Sequence, residues 1–195
     1  IYMLYNKSMP SPSVKLDGFP PFHLIRSVRD WPKPGIEFKD WNSLLAEPGA
    51  IQSMTELAVE ELDRLRVFPD VVVGAESRGF ILGATIASEL GIGFVPLRKP
   101  GKTPPEFHSY EYDLEYGTDT IELAHGLISP GSKVLIHDDL LATGGTALAA
   151  GELLKKIEAG AAGFLFALEL PELPGREKLT KASDDSVPII SLHKC

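Results

Sequence analysis

The chain has 195 residues, 44% hydrophobic and 24% charged, with a formal net charge of −8. This is the balance of an ordinary globular domain, and its acidity speaks against a general binder of nucleic acid or of acidic membrane. A single cysteine, Cys195, excludes an internal disulfide and a cysteine zinc cluster, and no apolar run approaches the ~20 residues of a membrane span.

Residues 1–19 contain Pro10 and Pro12 with little periodicity and read as an N-terminal extension; residues 20–195 read as a single domain. No secretory pattern opens the chain, so a reducing, cytoplasmic setting is the expectation. His23–Val28 suits a short helix. In Asp30–Asp40 (DWPKPGIEFKD), Pro32, Pro34 and Gly35 forbid a regular element, and the stretch reads as a shaped loop. On residue type alone its Trp31 and Phe38 do no more than plug a core edge.

From Pro48 to Arg66 the apolar residues Ile51, Met54, Leu57, Ala58, Leu62 and Leu65 form a helical stripe, with Glu56, Glu60, Glu61 and Asp63 opposite. Asp70–Ala75 (DVVVGA) is a buried type of strand. It leads through Glu76-Ser77-Arg78-Gly79 into a helix over Phe80–Leu90 that stops at Gly91. Phe94–Leu97 is the next strand, and Arg98, Lys99 and Lys102 behind it suit either a solvated loop or an anion site. Tyr110, Tyr112, Leu114 and Tyr116 alternate, as do Ile121 and Leu123 beyond Gly117, which predicts a β-hairpin too polar for a sheet centre. By residue type, Glu115 within it is a surface acid.

The most informative stretch is Lys133–Thr146, KVLIHDDLLATGGT. A strand over Lys133–His137 ends in Asp138 and Asp139, and a small-residue turn, Ala142-Thr143-Gly144-Gly145-Thr146, opens a helix over Ala147–Ile157. Unpaired N–H groups and partial positive charge at such a helix start seat a phosphate. The two acids suit ribose hydroxyls, a metal or general-base work; neighbouring strand residues diverge, which favours ribose. The turn lacks the lysine of a P-loop and the spacing of a Rossmann fingerprint. Gly163–Leu170 is a further strand, Pro171–Lys178 a surface turn and Val187–Leu192 a last strand. Alternating strands and helices give an α/β fold, a mainly parallel sheet flanked by helices.

The string DDLLATGGT resembles the phosphoribosyl-pyrophosphate signature of the type I phosphoribosyltransferases, in the form found in the adenine phosphoribosyltransferases, and the similarity runs from about Arg26 to Leu192. The resemblance implies a type I phosphoribosyltransferase fold with an N-terminal hood (about 20–45) and a β-hairpin flap (about 100–125). It implies transfer of 5-phosphoribosyl from phosphoribosyl pyrophosphate to adenine, giving AMP and pyrophosphate, with Mg²⁺ as cofactor and a homodimer as assembly. By the same resemblance Asp138 and Asp139 with Ala142–Thr146 hold the ribose 5-phosphate. Glu76, Ser77, Arg78, Arg98, Lys99, Lys102 and Tyr116 face pyrophosphate; Glu37, Phe38, Lys39 and Leu170 bind adenine; Glu115 handles a purine proton. Arg78, Glu115, Asp138 and Asp139 are then the catalytic set, and the metal is held through pyrophosphate and ribose rather than by a protein cage. Another purine base on the same fold, a nucleic-acid-binding regulator and a plain nucleotide-binding module are the competing expectations.

Overall fold

The computed structural model describes residues 20–113, 117–184 and 186–195, so the expected extension over residues 1–19 lies outside the described residues. A single 3₁₀ turn, Phe22–Leu24, precedes strand β1 (Arg26–Arg29). This corrects the helix expected over His23–Val28. The segment is recruited instead by β2 (Glu37–Asp40), in an antiparallel register that sets Arg26 opposite Asp40 and Val28 opposite Phe38. Between them the proline-rich tip is closed by the Gly35 N–H donating to Asp30 Oδ1 at 2.7 Å.

The remaining elements follow as α1 (Asn42–Leu45), α2 (Ala50–Arg64), β3 (Val71–Ala75), α3 (Gly79–Leu90), β4 (Gly93–Leu97), β5 (Phe107–Asp113), β6 (Thr118–Ala124), β7 (Lys133–Leu141), α4 (Gly145–Lys156), β8 (Gly160–Glu169), α5 (Gly175–Ala182) and β9 (Ile189–Lys194). Five of the strands form one parallel sheet in the order β4-β3-β7-β8-β9. The expected hairpin is present as β5 and β6, paired antiparallel from Phe107–Ala124 to Asp113–Thr118.

Strand alternation divides the core. Val71, Val73, Val134, Ile136, Phe164 and Phe166 face α4 and the hairpin, while Val72, Leu135, Leu165 and Ala167 face α2 and α3. A sheet covered on both faces needs apolar residues at every position, which is why these strands read as continuous β-branched runs. Other boundaries differ from expectation: the loop expected over Asp30–Asp40 ends at β2, which starts at Glu37, while β8 starts earlier, at Gly160, and β9 later, at Ile189. β7 does not stop at the acidic pair, because β8 runs alongside it and pairs Asp138 with Phe166, Leu140 with Leu168 and Leu141 with Glu169. The surface turn expected over Pro171–Lys178 ends early, since Gly175 already starts α5.

Strand order reverses between β3 and β7, so the loops at their carboxyl ends diverge and leave a crevice. Leu153 of α4 is fully buried beneath the sheet face that carries this crevice. Leu153→Ala should lower unfolding free energy by about 2–5 kcal/mol, read as a lower urea midpoint at unchanged slope.

Candidate active site

Four chain segments meet at the carboxyl edge of the sheet. Glu76, Ser77 and Arg78 leave β3, Arg98 and Lys99 leave β4, Asp138 and Asp139 lie near the end of β7, and Thr146 stands in the first turn of α4. Together they line a cavity of about 280 Å³. A larger hollow of about 600 Å³ lies across α2 and α3, bordered by Glu56, Thr85 and Glu89. It is bordered by acids and hydroxyls without a cation, whereas Arg78, Arg98 and Lys99 line the smaller cavity.

Local backbone explains the convergence. Ser77 holds φ +75°, a conformation costly for a non-glycine residue, and this bend sends Arg78 back over the sheet edge as α3 begins. At the other anion seat Gly144 precedes α4 with φ +78°, and a Cβ there would come within 3.0 Å of the Gly175 carbonyl oxygen. Gly175 is equally constrained: its own Cβ would lie 2.3 Å from the Ala142 oxygen, to which its N–H donates at 3.0 Å. Two glycines thus let the α5 start brace the 142–146 turn by backbone contact. No side chain caps α4, leaving its first N–H groups for a ligand. Ala142, Thr143, Gly144, Gly145 and Thr146 are all half-buried.

Carboxylates presently answer the cations. Glu76 accepts from the Lys102 ammonium, from the Lys99 N–H at 2.8 Å and from Arg98 Nε at 3.2 Å. Those donors, Lys102 foremost, pull its pKa down to about 2. Lys99 pairs with Asp119 of β6, and Arg78 Nε lies 2.7 Å from Asp139 Oδ2. Asp138 accepts the Asp139 N–H at 2.8 Å. Burial, reinforced by the neighbouring Asp139 charge, raises its pKa well above the ordinary carboxylate value.

On the hood, the Phe38 ring stands between Trp31, at 4.4 Å between centroids in an edge-on contact, and the Arg78 guanidinium, 5.5 Å from the ring centre. Arg78 therefore links β2 to the acidic pair. The Lys39 ammonium is turned to Ser27 Oγ at 2.8 Å and Glu37 Oε1 at 3.2 Å. Leu170 is half-buried immediately after β8, its N–H donating to the Leu141 oxygen. Glu115 and Tyr116 lie outside the described residues. Three further residues touch this region without a sequence signal for it: Gly175, marked only by a Pro-Gly pair; Asp119, which resembles an ordinary turn acid; and Tyr112, whose hydroxyl reaches Thr146 Oγ1 at 3.1 Å.

The profile of the family described as Phosphoribosyl transferase domain matches residues 40–186. The chain is 49% identical over 173 residues to an adenine phosphoribosyltransferase of a Synechococcus species, covering 87% of this chain and 95% of that one. A solved adenine phosphoribosyltransferase from Thermoanaerobacter pseudethanolicus superimposes with a TM-score of 0.82 at 43% identity, covering 89% of this chain and 96% of that one. The Saccharomyces cerevisiae enzyme, solved with D-2,5-dideoxy-2,5-imino-altritol 1,6-bisphosphate and adenine, gives 0.80 at 40% identity, covering 87% and 94%.

Because the folded pKa of Glu76 lies below its ordinary 4.5, the stability it contributes is complete above about pH 4.5 and is lost as pH falls through about 2. Glu76→Gln should therefore cost on the order of 2 kcal/mol at neutral pH, after discounting for the half-exposed Lys102. The gap to the unsubstituted protein in urea titrations should close between pH 4.5 and pH 2.

Proposed function

The chain belongs to the adenine phosphoribosyltransferases and transfers 5-phosphoribosyl from phosphoribosyl pyrophosphate to adenine, giving AMP and pyrophosphate; from that premise we propose how its residues divide the work. The observation that carries the division is the meeting of an uncapped helix start, an acidic pair and four cations at one sheet edge.

Ala142–Thr146 bind the 5′-phosphate through the first N–H groups of α4 and the threonine hydroxyls. Anchoring that end fixes the anomeric carbon, and such positioning can remove about 7–11 kcal/mol from a barrier. Asp138 and Asp139 take the ribose hydroxyls, and the negative charge of Asp139 favours the positive anomeric centre of the transition state. Arg78, Lys99 and Lys102 receive the departing pyrophosphate, with Ser77 contributing its backbone; Arg98 and Glu76 hold this basic segment in place. Phe38 stacks on adenine opposite Leu170, and the backbone at Glu37 and Lys39 meets the edge of the base. Glu115 handles the proton of the attacking ring nitrogen, with Tyr116 beside it in the flap. Residues 100–125 close over the reaction and keep water from the activated sugar.

Magnesium fits this donor set as an ion carried mainly by the donor's own phosphates. No group of three Asp, Glu, His or Cys side chains clusters among the described residues to cage it. Asp138 is the acid of the pair whose carboxylate is not engaged by a cation. When bound, Mg²⁺ offsets negative charge on the pyrophosphate. The proposed assembly is a homodimer, as the resemblance implies.

The direct assay is AMP formation from adenine and phosphoribosyl pyrophosphate, with guanine and hypoxanthine as comparison bases and with Mg²⁺ added or chelated. Asp138→Asn and Asp139→Asn should each lower kcat at least ~100-fold, about 2.7 kcal/mol of transition-state stabilisation. Near-normal turnover in both would remove the acids from the reaction.

A further inference from the structure

We infer that Asp119 is a positioning residue that stands in for pyrophosphate on Lys99 and, while it does so, keeps Tyr112 seated on the 5′-phosphate turn. This rests on the division of the site given above. Asp119 lies near the start of β6 in the hairpin, not on the sheet, yet its half-buried carboxylate connects Lys99 to Tyr112. It pairs with the Lys99 ammonium, accepts from the Tyr112 hydroxyl at 3.1 Å through the same oxygen, and is oriented by the Thr120 N–H at 2.8 Å on the other.

The chain of contacts continues past Tyr112. Its hydroxyl lies 3.1 Å from Thr146 Oγ1, and its ring is packed on the α4 start, 3.4 Å from where a Gly145 Cβ would stand. Proton bookkeeping fixes the direction of each bond. A carboxylate only accepts, so Tyr112 donates to Asp119; the tyrosine oxygen then accepts from Thr146. The Thr146 proton and the Lys99 charge, one from each anion seat, are therefore both occupied by the flap. Lys99 also lies 6.0 Å from the Tyr112 ring centre, so the two ends of the chain share one local field.

A phosphoribosyl pyrophosphate molecule carries an anion for each seat. Pyrophosphate displaces Asp119 from Lys99, the 5′-phosphate takes the Thr146 proton, and each event weakens the hold on Tyr112 that opposes the other. Asp119 thereby makes the two ends of one substrate bind cooperatively, and by linkage the coupling is reciprocal.

The test is calorimetric titration of pyrophosphate and of ribose 5-phosphate into the full-length protein with Mg²⁺, alongside steady-state kinetics. Asp119→Asn keeps the shape and removes the charge. It should tighten pyrophosphate roughly three- to tenfold, lower the KM for phosphoribosyl pyrophosphate, and leave the adenine KM unchanged. Tyr112→Phe leaves the Lys99–Asp119 pair and should tighten ribose 5-phosphate more than pyrophosphate. A merely structural acid would weaken both ligands on replacement, so weaker or unchanged pyrophosphate binding in Asp119→Asn overturns the inference. Should that variant fail to melt cooperatively, Tyr112→Phe decides alone, and affinities equal to the unsubstituted protein overturn it. An unsubstituted protein that binds neither ligand and makes no AMP would instead overturn the reading of the site itself.

Discussion

The position of β7 between β3 and β8 is the constraint from which the rest of the structure follows. Its register against β3 aligns Val71 to Gly74 with Val134 to His137, and its longer register against β8 carries it on to Leu141. That extra length places Asp138 and Asp139 inside a hydrogen-bonded strand rather than on a loose loop end. It also delivers residues 142–146 at a fixed height above the sheet. Chemistry that needs a sugar held at two points benefits from such rigidity, because the strand ladder has already restricted the backbone before any ligand arrives.

Charge is the second organising element. A site that must receive several phosphate charges has to store cations without substrate, and isolated cations this close would repel one another. Here each is given a carboxylate: Glu76 for Arg98 and Lys102, Asp119 for Lys99, Asp139 for Arg78. The acids differ in origin. Glu76 follows β3 at the sheet edge and braces the basic loop, whereas Asp119 reaches Lys99 from the β5–β6 hairpin. Glu122 of β6 adds to the bracing by accepting the Gly101 N–H at 3.1 Å from within a buried position.

The sequence made the sheet legible because both faces of a parallel strand are buried, so DVVVGA and KVLIH carry their location in their composition. The acidic pair and the glycine turn are legible as a string, and the structure places Asp138, Asp139 and Thr146 around one cavity with Arg78 and Lys99. Strand ends were harder to read. β7 continues through two aspartates because β8 offers partners there, a fact that belongs to a different part of the chain. β1 reads as helical in isolation for the same reason, since the strand exists only against β2. Asp119, Tyr112 and Gly175 act through neighbours 20, 34 and 33 residues away in sequence, respectively Lys99, Thr146 and Ala142. Such contacts leave no local pattern.

The two tryptophans occupy opposite extremes. Trp41 is wholly enclosed in the core, while Trp31 is 51% exposed and leans edge-on against Phe38. Light emitted by the first reports on the packing of the interior just beyond β2. Emission from the second depends on the ring beside it. The molecule thus carries one exposed optical probe leaning on Phe38 and a second enclosed in the core, and needs no added label for either.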